Sequence, residues 1–307
     1  MSINRLVPRL QAIGPQLGYT GLIEGASIMC RIVAYLGRPA LLQDILVTPN
    51  NSIVMQSLHA RETNLRVNGD GFGLGWYIPQ ISTTPALFTS IAPAWNDRNL
   101  LHLTAKIQSP CFFAHVRAAS AGGVTNYNCH PFIHGDWMFM HNGDINDFIL
   151  VKRHLRHLLD DDIYEWIQGE TDSEHLFALF FQLAKGRDLT RLSVVADVLE
   201  QTLRKVDDLI TEFGRKGPSY YNLCMTDGHR MIATRYCTDK RKKNLSFHYL
   251  EGYVFSSEEE WPKKEEPPSY IVVSSERFND LAEGWQDIPP QHMMLIDENK
   301  VIQLRSL

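Results

Sequence analysis

A chain of 307 residues, 44% hydrophobic and 21% charged, has an ordinary globular make-up, with material for one large domain or two small ones. Its net charge of -5 comes without a basic block or acidic tail, so nothing electrostatic favours nucleic acid, and no apolar run approaches the roughly 20 residues of a membrane span. The five cysteines (Cys30, Cys111, Cys129, Cys224, Cys237) are odd in number and form no C-x-x-C pair, which argues against a disulfide framework or zinc ribbon and for a reducing, cytoplasmic setting.

Residues 1–28 carry Pro8, Pro15 and scattered glycines, with no apolar core and no small-residue cleavage pattern, unlike a secretory signal. Arg5 and Arg9 against the single acid Glu24 leave an organelle transit peptide open. The expectation is that residues 1–29 are an upstream mis-start or a propeptide, absent from the active form, and that 30–307 is one domain. From Cys30 to Leu36 the chain is apolar and β-prone, and Gly37-Arg38-Pro39 reads as its end. Leu41 to Val54 is mixed, with room for a short helix before an extended piece. Asn68-Gly69-Asp70-Gly71 is a dense turn signal, and Phe72 to Ile78 a strand leaving it. Cys111 to Val116 and Trp137 to Met140 are further strands, and His141-Asn142-Gly143-Asp144 reads as a tight turn after the second of them.

Helical spacing governs the middle: Ile145 to Leu159, Glu174 to Lys185, and Leu192 to Phe213 with Gly214 as the stop. Strand patterns return at Tyr220 to Met225, Met231 to Tyr236, Ser246 to Leu250, Tyr270 to Val273, Met293 to Ile296 and Val301 to Leu304, with hairpin turns at Asp227-Gly228 and Asp297-Glu298-Asn299. The charged stretch Ser256 to Pro268 reads as a solvated loop. Strands, then helices, then strands, without βαβ alternation, predict an α+β fold with antiparallel sheets.

A cysteine attacks as its thiolate, so a base must take the proton. Usually that is histidine; at a mature N-terminus the α-amine is the alternative, with a pKa of roughly 7.7–8.0. Met29-Cys30 would provide such a terminus. On local grounds alone Cys30 reads first as a buried structural thiol. Arg117, opening the small-residue loop Ala118-Ala119-Ser120-Ala121-Gly122-Gly123, suits a carboxylate held by two parallel hydrogen bonds, or a surface salt bridge. Asn142 and the Gly143 N–H form either an oxyanion hole or an ordinary turn. Thr171 with Glu174 is a capping box, with Asp172 in the first helical turn.

Taken together and in this order, Met29-Cys30, Arg117-Ala118-Ala119-Ser120, Cys129-His130-Pro131-Phe132, His141-Asn142-Gly143 and Thr171-Asp172-Ser173-Glu174 resemble the class II glutamine amidotransferases, a family of N-terminal-nucleophile hydrolases. Asn68 to Gly73, Pro93-Ala94-Trp95-Asn96, Asn222 to Gly228 and Val273-Ser274-Ser275-Glu276 are similar to the stand-alone branch of that family, which includes a fungal glutathione-degrading subunit and a γ-glutamyl hydrolase of ergothioneine synthesis. The resemblance implies a four-layer αββα sandwich with two antiparallel sheets. It makes Cys30 the nucleophile and its amine the base, Arg117 the holder of the substrate α-carboxylate with Ser120 assisting, Asp172 the holder of the α-ammonium, and Asn142 with Gly143 the oxyanion hole. The Asn68–Gly73 turn would lie beside the nucleophile.

The expected activity is hydrolysis of the γ-glutamyl amide of glutamine or a γ-glutamyl thiol compound, without cofactor or metal. The alternatives are a glutaminase subunit passing ammonia to a separate synthase, and an inactive homologue that binds a partner. A small-molecule γ-glutamyl substrate and a peptidase or synthase subunit are the expected partners, with no nucleic acid and no membrane. A cysteine–histidine protease using Cys30 or Cys129 would leave Arg117, Asp172 and the Asn142-Gly143 pair unexplained.

Overall fold

The central strand, β1 (Arg31–Leu41), is apolar over its first half, and both of its faces are covered. The computed structural model describes residues 30–63, 67–119, 122–215, 217–252, 268–278 and 284–307. The expected leader 1–29, Ser120 and nearly all of the Ser256–Pro268 loop lie outside the described residues. In one sheet β1 runs with β2 (Phe72–Ile78), β3 (Ser82–Ser90), β4 (Gln108–Val116), β9 (His248–Gly252), β10 (Tyr270–Ser274) and β11 (Trp285–Asp287), in the order β11-β9-β10-β1-β4-β2-β3. The second sheet holds β5 (Phe132–His134), β6 (Trp137–Asp144), β7 (Tyr220–Thr226), β8 (Met231–Cys237), β12 (His292–Ile296) and β13 (Ile302–Ser306), in the order β13-β12-β8-β7-β6-β5. Neighbouring strands are antiparallel in both sheets.

Three apolar layers define four structural ones. Because strand side chains alternate, Ile32, Ala34 and Leu36 face the other sheet, against Met138, Met140, Cys224 and Met294. Val33 and Tyr35 face the opposite way, toward α1 (Leu42–Leu46), α2 (Ile53–Leu58) and α3 (Arg98–Thr104). Beyond the second sheet, Phe139, Leu223 and Met225 pack on α4 (Phe148–Arg156), α6 (Asp172–Ala184) and α7 (Leu192–Phe213), with α5 (Asp161–Trp166) alongside. Phe139 stacks on Phe177 with ring centres 4.9 Å apart, an arrangement worth about 0.5–1.5 kcal/mol beyond burial. This is the expected αββα sandwich.

Several local expectations change. Gly37-Arg38-Pro39 does not end β1. The register against β4 shifts between Leu36 and Ala40 and the strand continues to Leu41, with Pro39 in the irregular part, where no ladder bond to β4 is lost. Ile53-Val54 begins a helix rather than an extended piece, because the Ser52 side chain accepts from Met55 N and caps it. His141 to Asp144 is not a turn. These residues complete β6 and pair with Leu223, Asn222, Tyr221 and Tyr220 of β7. β3 has little alternation in sequence because it is a largely solvated edge, which also tolerates Pro85.

Candidate active site

Register brings the first two functional groups together. Arg31 pairs with Val116 of antiparallel β4, so Cys30, one residue before β1, lies opposite Arg117, one residue after β4. The Cys30 thiol donates to the Ala118 carbonyl at 3.4 Å. Burial pushes its pKa up, while the guanidinium groups of Arg117 and Arg31 pull the other way and Asp172 adds to the rise. A thiol in that balance is not spontaneously a thiolate; it needs a base at hand. Arg117, His130, His141, Gly143, Thr171 and Asp172 line the cleft beside it.

The turn signal at Asn68–Gly71 supports Arg117 from behind. Arg117 N donates to Gly71 O at 2.8 Å, Asp70 N donates to Arg117 O at 3.0 Å, and Ala119 N donates to Asp70 Oδ2 at 2.8 Å. The guanidinium is buried, and Nη1 donates to Gly123 O at 3.0 Å. Asp172 opens α6, where the helix dipole favours a carboxylate. Its Oδ2 accepts from Ile145 N at 2.9 Å and its Oδ1 from Ser173 N at 2.7 Å. Thr171 caps the helix through Glu174 N at 3.2 Å. The expected capping box is only half formed, because the Glu174 carboxylate turns to the N–H groups of Gln168 and Gly169, at 2.9 and 2.8 Å.

Gly143 faces the cleft, and a Cβ there would run into the Tyr220 carbonyl and the His141 ring. Close strand approach, not turn geometry, explains this glycine. Asn142 is buried behind it, its Nδ2 donating to Ser275 Oγ at 3.2 Å. Cys30, Arg117, Gly143 and Asp172 thus converge on one cleft, while Asn142 is not among its lining residues and is held by Ser275, which also accepts from Ile32 N of β1.

Sequence reasoning missed two groups. Arg31, beside the nucleophile, is buried; Nε donates to Glu276 Oε1 at 2.9 Å and Nη1 to Cys30 O at 2.7 Å. An arginine inside an apolar strand signals a buried partner, since arginine is almost never fully buried unpaired. The second group is a histidine cluster. His115 and His130 stack with ring centres 4.2 Å apart, and neither ring has a hydrogen-bond partner among the described residues. His141 sits between Ser173 Oγ, 3.0 Å from Nδ1, and Tyr220 O, 2.9 Å from Nε2. Because a carbonyl can only accept, Nε2 carries the proton, and the Ser173 hydroxyl lies between Nδ1 and Asp172 Oδ1, to which it donates at 3.1 Å.

Burial lowers the pKa of His115 to about 3 and of His175 to about 4, and lowers those of His130 and His141 as well. Unfolding returns such groups toward roughly 6.5. The unfolded chain then binds the extra protons, so stability is complete above about pH 6.5 and falls as the pH drops toward the folded values. Asp144, raised by burial to about 6, and Glu174 and Asp207, also raised, act in the opposite sense, but with His134, likewise lowered by burial, five imidazoles outweigh three carboxyls. The urea midpoint should be lower at pH 5 than at pH 7.5; equal midpoints would contradict this balance.

Among the described residues no helix is long and apolar enough to cross a membrane. The family model "Glutamine amidotransferases class-II" matches residues 44–306, a stretch that begins after Cys30. The chain is 32% identical over 297 residues to the probable glutamine amidotransferase DUG3 of Saccharomyces cerevisiae, covering 89% of this chain and 83% of that one. It is 27% identical over 276 residues to the gamma-glutamyl-hercynylcysteine sulfoxide hydrolase of Mycolicibacterium smegmatis, covering 89% and 98%. A glutamine aminotransferase class-II domain protein from Silicibacter pomeroyi shares the fold, with a TM-score of 0.62 at 23% identity over 91% of this chain and 99% of that one. So does the allosteric regulatory enzyme of purine biosynthesis, with a TM-score of 0.60 at 15% identity over 90% of this chain and 49% of that one. With nearly the whole described region inside the family model, the chain belongs to the class II glutamine amidotransferases.

Proposed function

We propose that this protein hydrolyses the γ-glutamyl amide bond of glutamine or of a γ-glutamyl thiol compound, with Cys30 as nucleophile. The observation that carries this reading is the convergence of a thiol, a buried guanidinium and a carboxylate on one cleft. A free amino acid bears an anion and a cation on one carbon. Arg117 and Asp172 can grip the two and leave the γ-carbonyl facing the thiol. The α-amine of Cys30 takes the thiol proton and Sγ adds to the carbonyl carbon. The oxyanion is held by Asn142 and the Gly143 N–H, and the C–N bond breaks as the leaving amine is protonated. Water then cleaves the γ-glutamyl thioester and releases glutamate.

This reading requires Cys30 to be the first residue, because a peptide bond to Met29 would turn its amine into an amide. Residues 1–29 are therefore absent from the active form under this proposal. The names of the two relatives, a glutamine amidotransferase and a γ-glutamyl hydrolase, support the glutamyl end of the substrate. The fungal and ergothioneine-pathway resemblance favours a thiol-bearing leaving group, and a peptidase or synthase subunit fits as the partner that takes the product.

Glutamate release from glutamine and from glutathione tests the activity. Release from neither would overturn it. Arg117→Ala should raise KM by an amount equivalent to about 2–5 kcal/mol of lost charge pairing, with a smaller effect on kcat. An unchanged KM would remove Arg117 from the carboxylate site.

A further inference from the structure

The dipeptide Ser275-Glu276, just past the end of β10, is absorbed neither by the chemistry above nor by the surface. Both residues are fully buried. Ser275 N donates to Ile32 O at 3.0 Å, and Ile32 N donates back to Ser275 Oγ at 3.0 Å. The same oxygen accepts from Asn142 Nδ2 at 3.2 Å. One hydroxyl therefore joins the strand that carries the thiol, two residues from Cys30, to the amide assigned to the oxyanion hole. The Ser275 carbonyl is itself held by Ser246 Oγ at 2.9 Å, so the hydroxyl hangs from a fixed backbone.

We propose that Ser275 is the positioning residue of the oxyanion amide, fixing which end of the Asn142 side chain meets the substrate. The inference rests on the reading of Asn142 as an oxyanion donor and goes one step behind it. The two ends of a side-chain amide are nearly the same in shape and opposite in chemistry: one donates, the other only accepts. Rotation about the last torsion exchanges them, and that torsion is soft. Among the described residues, Ser275 is the only hydrogen-bonding partner of the Asn142 side chain, and Oδ1 is buried without one.

A hydroxyl oxygen has two lone pairs. With the Ile32 and Asn142 N–H groups on both, Ser275 holds Nδ2 in place, and the second hydrogen of Nδ2 is left for the substrate oxygen. Without the hydroxyl, Oδ1 can turn toward the developing negative charge and repel it. Charge develops on that oxygen only as the tetrahedral species forms, so the loss falls on kcat rather than KM.

The test measures glutamate release from glutamine, or from glutathione if only that is turned over, with the chain as cells process it. Ser275→Ala should lower kcat about tenfold to a hundredfold while KM stays within about twofold. Ser275→Thr, which keeps the hydroxyl, should restore most of the rate. In an Asn142→Ala background, Ser275→Ala should cost less than about twofold more, because the group it acts through is gone.

Wild-type kcat in Ser275→Ala overturns the proposal, and so does an undiminished further loss in the Asn142→Ala background. Full activity of Asn142→Ala would instead sink the oxyanion assignment on which the proposal stands. Should Ser275→Ala not melt cooperatively, Ser275→Cys carries the same test, since a thiol is similar in shape but a weak acceptor.

Discussion

Cys30→Ala is expected to abolish glutamate release, and any residue left in front of Cys30 should do nearly the same. The thiol is half-buried and desolvation raises its pKa, so little thiolate exists without a base. The α-amine supplies one with an ordinary pKa of roughly 7.7–8.0, near the pH at which general-base catalysis is most efficient. Such a base contributes about 10²- to 10⁴-fold. A chain that begins before Cys30 should lose about that factor, with its fold and its thermal melt unchanged. Intact mass of the purified protein, read beside its specific activity, checks this. An active protein that still carries residues before Cys30 would overturn the amine's role and move the search for a base to His130 and His141, the imidazoles lining the same cleft.

Glu276→Ala should be among the most destabilising single changes in the protein. Glu276 is fully buried and accepts from Arg31 Nε at 2.9 Å, from Arg61 N at 2.9 Å, from Glu62 N at 3.0 Å and from Asn51 Nδ2 at 3.3 Å. Removing the carboxylate leaves Arg31, 1% exposed, as an uncompensated buried cation, which costs about 3–5 kcal/mol. For a chain of this size that corresponds to roughly 6–20 °C in Tm.

Arg31→Met with Glu276→Leu should recover only part of the loss. The pair's charge is then gone, but the N–H groups of Arg61 and Glu62 also lose the carboxylate they donate to. Because Arg31 also holds the Cys30 carbonyl at 2.7 Å, activity should fall even where the fold survives. A wild-type melt for Glu276→Ala would show that the charge is compensated elsewhere and end this account.

Much of the architecture was open to reading because it rests on short-range chemistry. The apolar period of Leu192 to Phe213 and its Gly214 stop define α7 to the residue. The apolar, β-prone runs of β7, β8 and β12 mark strands within a residue or two. Thr171 declares the start of α6 through its own cap. Elements without such a signature were the ones misjudged. Ile53-Val54 looks extended until Ser52 caps it. His141–Asp144 looks like a turn because an Asn-Gly pair usually is one, and only pairing with β7 makes it a strand.

The chemistry divides along the same line. Local patterns bring Cys30, Arg117, Asn142 and Gly143 forward only beside structural readings, and the family resemblance adds Asp172 and gives the five their roles. That a γ-glutamyl head could sit among them is decided by antiparallel register, which puts Cys30 across from Arg117, and by β6 reaching α6 through Ile145 and Asp172. Ser275 and Glu276 stand in a stretch that resembles the stand-alone branch, but what they and Arg31 do belongs to the tertiary structure. Glu276 lies 245 residues from Arg31 and Ser275 lies 133 from Asn142, and hydrogen bonds at that separation leave no period behind. Burial makes those distant contacts obligatory, since a charge or an amide removed from water must find its partner inside the fold.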